Sequence, residues 1–143
     1  MRKLFIIFLL LTLHKTLLHA EIIKKIEITG NKRVSKETVM IYGEININQN
    51  YTEKDINSVL KNLYSTNFFE NVDLELSNGI LKINLVEYPI INNLIVLGEV
   101  SNKYQESIKK IIASKEKDSF IENRLKQDIE KIKRLYAGMG FNF

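Results

Sequence analysis

The sequence predicts an α+β fold made of two consecutive copies of one small unit. Three observations carry that prediction. "IIKKIEITG" (22–30) aligns without a gap on "IINNLIVLG" (90–98), with apolar residues at the first, second, fifth and seventh places and a closing glycine. Each copy continues into two stretches with apolar residues at three- and four-residue steps, the mark of an amphipathic helix. The first copy then adds two alternating runs around "SNG" (77–79), the pattern of a β-hairpin. The order strand, helix, helix, strand, strand makes a two-layer domain, with the helical stripes on one face of a three-stranded sheet.

Residues 1–20 precede the fold. A basic start (Arg2, Lys3), an apolar run from Leu4 to Leu13 and the small Ala20 before Glu21 give the layout of a secretory signal peptide. The run is about ten residues, short of the roughly 20 that span a membrane. Cleavage is expected after Ala20, although Leu18 stands where a small residue is preferred.

In the first copy, the strand 22–30 leads into a short helix, "SKETVMIYG" (35–43), with Val39 and Tyr42 on one side. Thr52 and Asp55 approximate a capping box at the start of the longer helix, with Tyr51 and Ile56 closing over it as a hydrophobic staple. Ile56, Val59, Leu60, Leu63 and Tyr64 form its apolar stripe. In the hairpin, Val72, Leu74 and Leu76 alternate with Asp73 and Glu75. Leu81, Ile83, Leu85 and Glu87 then alternate with Lys82, Asn84 and Val86. Pro89, the only proline, marks the domain junction, because proline is disfavoured inside central strands.

The second copy offers a strand over 90–98, a helix over 103–112 carrying Tyr104, Ile108, Ile111 and Ile112, and a longer helix with Leu125, Ile129, Ile132 and Tyr136. That last helix starts either at Ser119, which forms a capping box with Glu122, or at Asn123, which the repeat register favours. Leu63-Tyr64 and Leu135-Tyr136 lie 72 residues apart, against 68 for Gly30 and Gly98, so the loop between the helices absorbs about four extra residues. The expected domains are 1–20, a signal peptide; 21–88, a complete unit; and 89–143, a second unit truncated before its C-terminal hairpin. With little for its strand and helix stripe to pack against, 90–143 is expected to be poorly ordered or aggregation-prone, while 21–89 folds.

Composition narrows the chemistry. The chain carries 21 Lys+Arg against 17 Asp+Glu, but Arg2, Lys3 and Lys15 belong to the signal, which leaves 18 against 17. The remaining charges are interspersed, as on an ordinary solvated surface, so no nucleic-acid partner is expected. There is no cysteine, and both histidines, His14 and His19, lie in the signal. Disulfides, Cys/His nucleophile–base pairs and the common zinc sites are therefore excluded from the mature chain. No carboxylate or Ser/Lys constellation stands in their place, and no catalytic residue, cofactor or metal is expected. "GMG" (138–140) lacks the strand-then-helix context of a phosphate loop and reads as the turn after a helix.

"IIKKIEITGNKRVSKETV" (22–39), "LKNLYSTNFFENVDLEL" (60–76), "LKINLVEYP" (81–89) and "LIVLG" (94–98) together resemble the POTRA domains of the BamA family. The resemblance covers roughly 22–143. It implies tandem POTRA domains, each β-α-α-β-β with two helices on a three-stranded mixed sheet, at the periplasmic face of the outer membrane. It implies binding of unfolded outer-membrane β-barrel proteins and accessory outer-membrane lipoproteins in support of barrel insertion. It also implies a C-terminal membrane β-barrel in the full-length protein, and no enzyme. The alternatives within the same resemblance are a translocation-assembly or two-partner secretion transporter, and a division protein of the FtsQ type.

The resemblance also points to a site. By the family's sheet order, Asn71, Val72, Asp73, Leu74, Glu75 and Leu76 form an edge strand. An exposed edge offers unpaired N–H and C=O groups to an extended peptide, which binds through main-chain hydrogen bonds with little demand on its sequence. Against that stands a hairpin strand whose edge is merely solvated, with Asp73 and Glu75 as charges that blunt it. Tyr64 and Tyr136 are expected to pack in the core or at its rim.

Overall fold

The computed structural model describes residues 20–99 and 101–141, and the signal expected over residues 1–19 lies outside them. The elements are β1 (Glu21–Ile22), β2 (Lys25–Thr29), α1 (Lys36–Gly43), β3 (Asn50–Tyr51), α2 (Glu53–Ser65), β4 (Phe69–Ser77), β5 (Ile80–Glu87), α3 (Asn102–Ile111) and α4 (Glu122–Gly138). The architecture is α+β.

Local chemistry sets the boundaries. The Ser35 side chain accepts from the Thr38 N–H at the start of α1. Thr52 and Asp55 form a complete reciprocal capping box at α2. Asp55 serves in place of the preferred Glu because its carboxylate reaches the Thr52 N–H at 2.8 Å and the Thr52 hydroxyl at 2.7 Å. Asn78 and Gly79 both take left-handed conformations (φ 54° and 77°), so β4 and β5 are joined by the two-residue turn that matches strand twist.

The main sheet has the order β2-β5-β4. β2 runs parallel to β5, with Lys25 opposite Ile80, and β4 runs antiparallel, with Ser77 opposite Ile80 and a bulge between Phe69 and Asn71. The mixed three-stranded sheet is the expected one. Beside it, β1 pairs with β3, Glu21 opposite Tyr51, a two-residue contact that the sequence pattern did not announce. Ile28, Leu81, Ile83, Leu85, Phe69 and Val72 from the sheet meet Val39, Val59 and Leu63 from the helices in one buried core. Leu63, Leu81 and Ile83 are fully buried, and truncating any of them to alanine costs about 2–5 kcal/mol. Tyr42, read on the same side of α1 as Val39, is half exposed and meets Phe68 edge-on, ring centroids 5.7 Å apart.

The second copy departs from expectation in two places. No strand forms over 90–98: Ile90 makes a single bridge to Ser119, and Ile91 exchanges backbone hydrogen bonds with the loop at 117–118. The reason is the parallel pairing. β2 is a strand because β5 lies beside it, and among the described residues no hairpin lies beside 90–98. Gly98 nevertheless adopts the conformation of Gly30 (φ 84° against 78°), so the repeat survives in the turn. The second departure is the start of α4. Neither Ser119 nor Asn123 caps it; Ile121 holds the cap position without a side-chain hydrogen bond. α3 and α4 pack through buried Ile108 and Ile112, and the buried Asp128 carboxylate accepts the N–H groups of Ala113 and Ser114, each at 2.8 Å, and the Lys131 ammonium at 2.8 Å.

Candidate functional site

β4 is an outer strand, paired only with β5. The edge position read for Asn71–Leu76 is therefore present in the fold. Hydrogen-bonding direction alternates along an antiparallel strand, and the residues flanking a two-residue turn form a bonded pair. With Ser77 opposite Ile80 across that turn, Ser77, Glu75, Asp73 and Asn71 bond inward to β5. Val72, Leu74 and Leu76 thus direct their backbone groups outward.

The side chains divide between the two faces. Val72 is buried under α2, with Leu74 and Leu76 packed against the same core. Asp73 and Glu75 lie on the opposite, exposed face. There Asp73 accepts from the Asn84 amide at 3.3 Å, and Asn84 in turn accepts from the Thr29 hydroxyl at 2.7 Å, a polar row across all three strands. Glu75 stands opposite Lys82, which also faces Glu27. Both acids thus lie on the sheet face, Asp73 bonded to Asn84, and neither covers the outward backbone.

One side chain does cover part of it. Tyr64, near the end of α2, accepts the Val72 N–H on its hydroxyl at 3.1 Å. That hydroxyl can donate in turn to Asn71 Oδ1 at 3.3 Å or to the Val72 carbonyl at 3.5 Å. Among the described residues the outward groups of Leu74 and Leu76 have no such partner. Tyr64 is 40% exposed, so of the core and rim positions expected for it the rim is the one found; its bond to the strand edge has no signal in the sequence.

The sheet that presents this edge is held by a clamp. After β2, Gly30 turns the chain so tightly that a Cβ there would lie 1.9 Å from the Leu85 carbonyl oxygen. The next residues wrap the Glu87 side chain at the end of β5. Its Oε1 accepts the N–H groups of Lys32, Arg33 and Val34 at 2.8, 2.9 and 3.0 Å, and its Oε2 pairs with Arg33 Nε at 3.0 Å. Arg33 also donates to the Tyr88 carbonyl at 2.6 Å. Burial works against the Glu87 charge, but these N–H donors and the guanidinium outweigh it and hold the carboxyl below its usual range. "GNKRV" and "VEYP" are therefore the two halves of one contact. Pro89 follows directly, its carbonyl accepting the Phe120 N–H at 2.7 Å.

In the second copy, Leu94, Leu97, Ile108, Ile112, Leu125 and Ile132 are among the residues lining an open apolar cavity of about 360 Å³. Tyr136, the counterpart of Tyr64, bonds to the Glu99 carboxylate and meets Phe141 edge-on at 6.0 Å. Among the described residues no cluster of three or more His, Cys, Asp or Glu is grouped to hold a metal ion, and no helix is long and apolar enough to cross a membrane.

The family model POTRA, described as "Surface antigen variable number repeat", matches residues 21–88. The chain is 34% identical over 119 residues to the outer membrane protein assembly factor BamA of Neorickettsia risticii, covering 82% of this chain and 16% of that protein. It is 28% identical over 121 residues to the BamA of Neisseria meningitidis, covering 82% and 15%. The chain thus spans about a sixth of these relatives' length. Among solved structures, the N-terminal domain of Omp85 from Thermosynechococcus elongatus aligns with TM-score 0.58 at 18% identity, over 84% of this chain and 52% of that one. POTRA1-2 of the periplasmic domain of Omp85 from Anabaena aligns with TM-score 0.51 at 12% identity, over 85% and 81%. At such identities these structures speak for the fold alone. The mixed sheet, the helix pair and the family match make residues 21–88 a POTRA domain. Across 82% of its length the chain is similar to BamA proteins, and together with the family match this likeness supports a BamA-family POTRA fragment.

Proposed function

We propose that this chain is a non-enzymatic binding region that receives unfolded outer-membrane β-barrel proteins, and accessory outer-membrane lipoproteins, by strand addition along β4. In this reading it lies at the periplasmic face of the outer membrane and supports barrel insertion by a C-terminal barrel in the full-length protein. Residues 89–143 then supply the opening segment and the two helices of a second POTRA unit, with Pro89 at the junction.

The observation that carries the reading is the outer position of β4, with the backbone groups of Leu74 and Leu76 directed away from β5 and unpaired among the described residues. Main-chain pairing tolerates many peptide sequences, which suits a receptor for many barrel proteins. The acids on this strand fit it too, since Asp73 and Glu75 lie on the sheet face and leave the edge open.

Titration of the ¹⁵N-labelled chain with a ten-residue synthetic peptide of alternating apolar and polar residues, taken from a barrel strand, tests it. Amide shifts confined to the stretch Asn71–Leu76 and centred on the open positions Leu74 and Leu76 are expected. Binding that leaves these amides unmoved, or no binding at all, refutes the reading.

A further inference from the structure

The outward side of β4 is not uniform. Val72, Leu74 and Leu76 present equivalent backbone pairs, yet among the described residues only the Val72 pair is met by a side chain. The Tyr64 hydroxyl accepts the Val72 N–H at 3.1 Å and stands 3.5 Å from the Val72 carbonyl. A hydroxyl can accept and donate at once, so the phenol occupies the Val72 N–H as a neighbouring strand would, and its single proton goes to Asn71 Oδ1 or to the Val72 carbonyl. Its position is fixed by Leu63, the fully buried residue before it in α2, and by the 3.3 Å contact with Asn71 Oδ1. The bulge between Phe69 and Asn71 ends the regular ladder just beyond this point.

We propose that Tyr64 is a specificity-determining residue of this edge: its hydroxyl takes the place of a partner strand at Val72 and confines an added β-strand to Leu74 and Leu76. This rests on the strand-addition reading above. A peptide docking from the Ser77 end meets two open positions and then a position already paired. Going further means displacing a side chain that is bonded to the same backbone groups, so the gain at Val72 is offset by what Tyr64 loses. The footprint is short and its register is set from one end. Register is weakly specified along a plain edge, where a strand can slip; a stop at one end removes that freedom.

Tyr64→Phe keeps the ring and removes the hydroxyl. In the free chain, hydrogen exchange at the Val72 amide is expected to be about tenfold faster in the variant, as for the loss of one hydrogen bond. Leu74 and Leu76 exchange quickly in both forms. Titration with the alternating ten-residue peptide is expected to shift Leu74 and Leu76 but not Val72 in the parent. In the variant Val72 joins the footprint and binding tightens about threefold to tenfold, the worth of one further net hydrogen bond. Unchanged Val72 exchange in the variant overturns the proposal. The same footprint and affinity in both forms overturns it while leaving strand addition standing. Failure of the peptide to bind either form overturns both.

Discussion

Replacing Glu87 by glutamine keeps the shape of the clamp and removes its charge. The Oε1 position still accepts the Lys32, Arg33 and Val34 N–H groups, at 2.8, 2.9 and 3.0 Å in the parent, but as a neutral amide oxygen. At the Oε2 position an NH₂ donor now faces Arg33 Nε, 3.0 Å away, and the ion pair becomes a donor–donor contact. The Glu87 side chain is only 5% exposed, so water does little to compensate. Hydrogen bonds to a charged group contribute about 1.5–3 kcal/mol each against about 0.5–1.5 for neutral ones. Shared over one carboxylate, and with one contact turned repulsive, the loss is about 3 kcal/mol. Urea unfolding of parent and variant at pH 7 measures it.

The pH dependence gives a second check. The folded-state pKa of Glu87 is depressed from 4.5, so its contribution is complete above that value and is lost as pH falls through the lower folded one. The stabilities of parent and variant are expected to run parallel from neutral pH down to about 4.5 and to converge below it. A variant within about 0.5 kcal/mol of the parent at pH 7, the range of an ordinary surface change, would refute the clamp. So would a gap that persists unchanged in acid.

Gly30→Ala places a Cβ against the Leu85 carbonyl in a left-handed conformation and is expected to cost about 3 kcal/mol or more by thermal melting. Gly98→Ala has the same backbone strain but meets nothing within 4 Å, and should cost about 1–2 kcal/mol. Asp128→Asn weakens the buried acceptor of Ala113, Ser114 and Lys131, and limited proteolysis should then cut the 113–118 loop faster than in the parent while leaving 21–88 intact. Leu74→Pro deletes an outward N–H and no inward one. Peptide binding should be lost while the melting transition of the first unit is lowered but retained.

Features carried by local chemistry were legible in the sequence. The Thr52 cap, the α2 stripe and the Asn78–Gly79 turn each need only neighbouring residues, and each is in place. Strand order is not local. That β4 lies outside and β5 between β2 and β4 came from family resemblance, because alternation along a strand says which face is buried and nothing about which strand lies beside it. For the same reason 90–98 repeats the apolar pattern and closing glycine of the first strand and still forms no strand; its partner is a matter of topology. Glu87 did leave a signal: it sits in the inward set with Leu81, Ile83 and Leu85, where a charge needs a reason. Tyr64 left none, since its partner is a backbone group eight residues on, and backbone groups have no signature in sequence.

The parallel pairing of β2 with β5 joins Lys25 to Ile80. The hairpin turn is tied to the start of the unit as well, through the Gly79 carbonyl, which accepts the Lys24 and Lys25 N–H groups at 2.7 and 3.1 Å. In a chain made from its N-terminus, the first strand therefore waits, with its edge groups in water, until the last strand of its own unit has been synthesised. Local helices can form earlier, but the core of this unit closes only on that last contact, which makes it slow to nucleate and complete in a single step. During that interval β2 is itself an unpaired strand, open to the same kind of partner that the finished unit is proposed to bind on its other side.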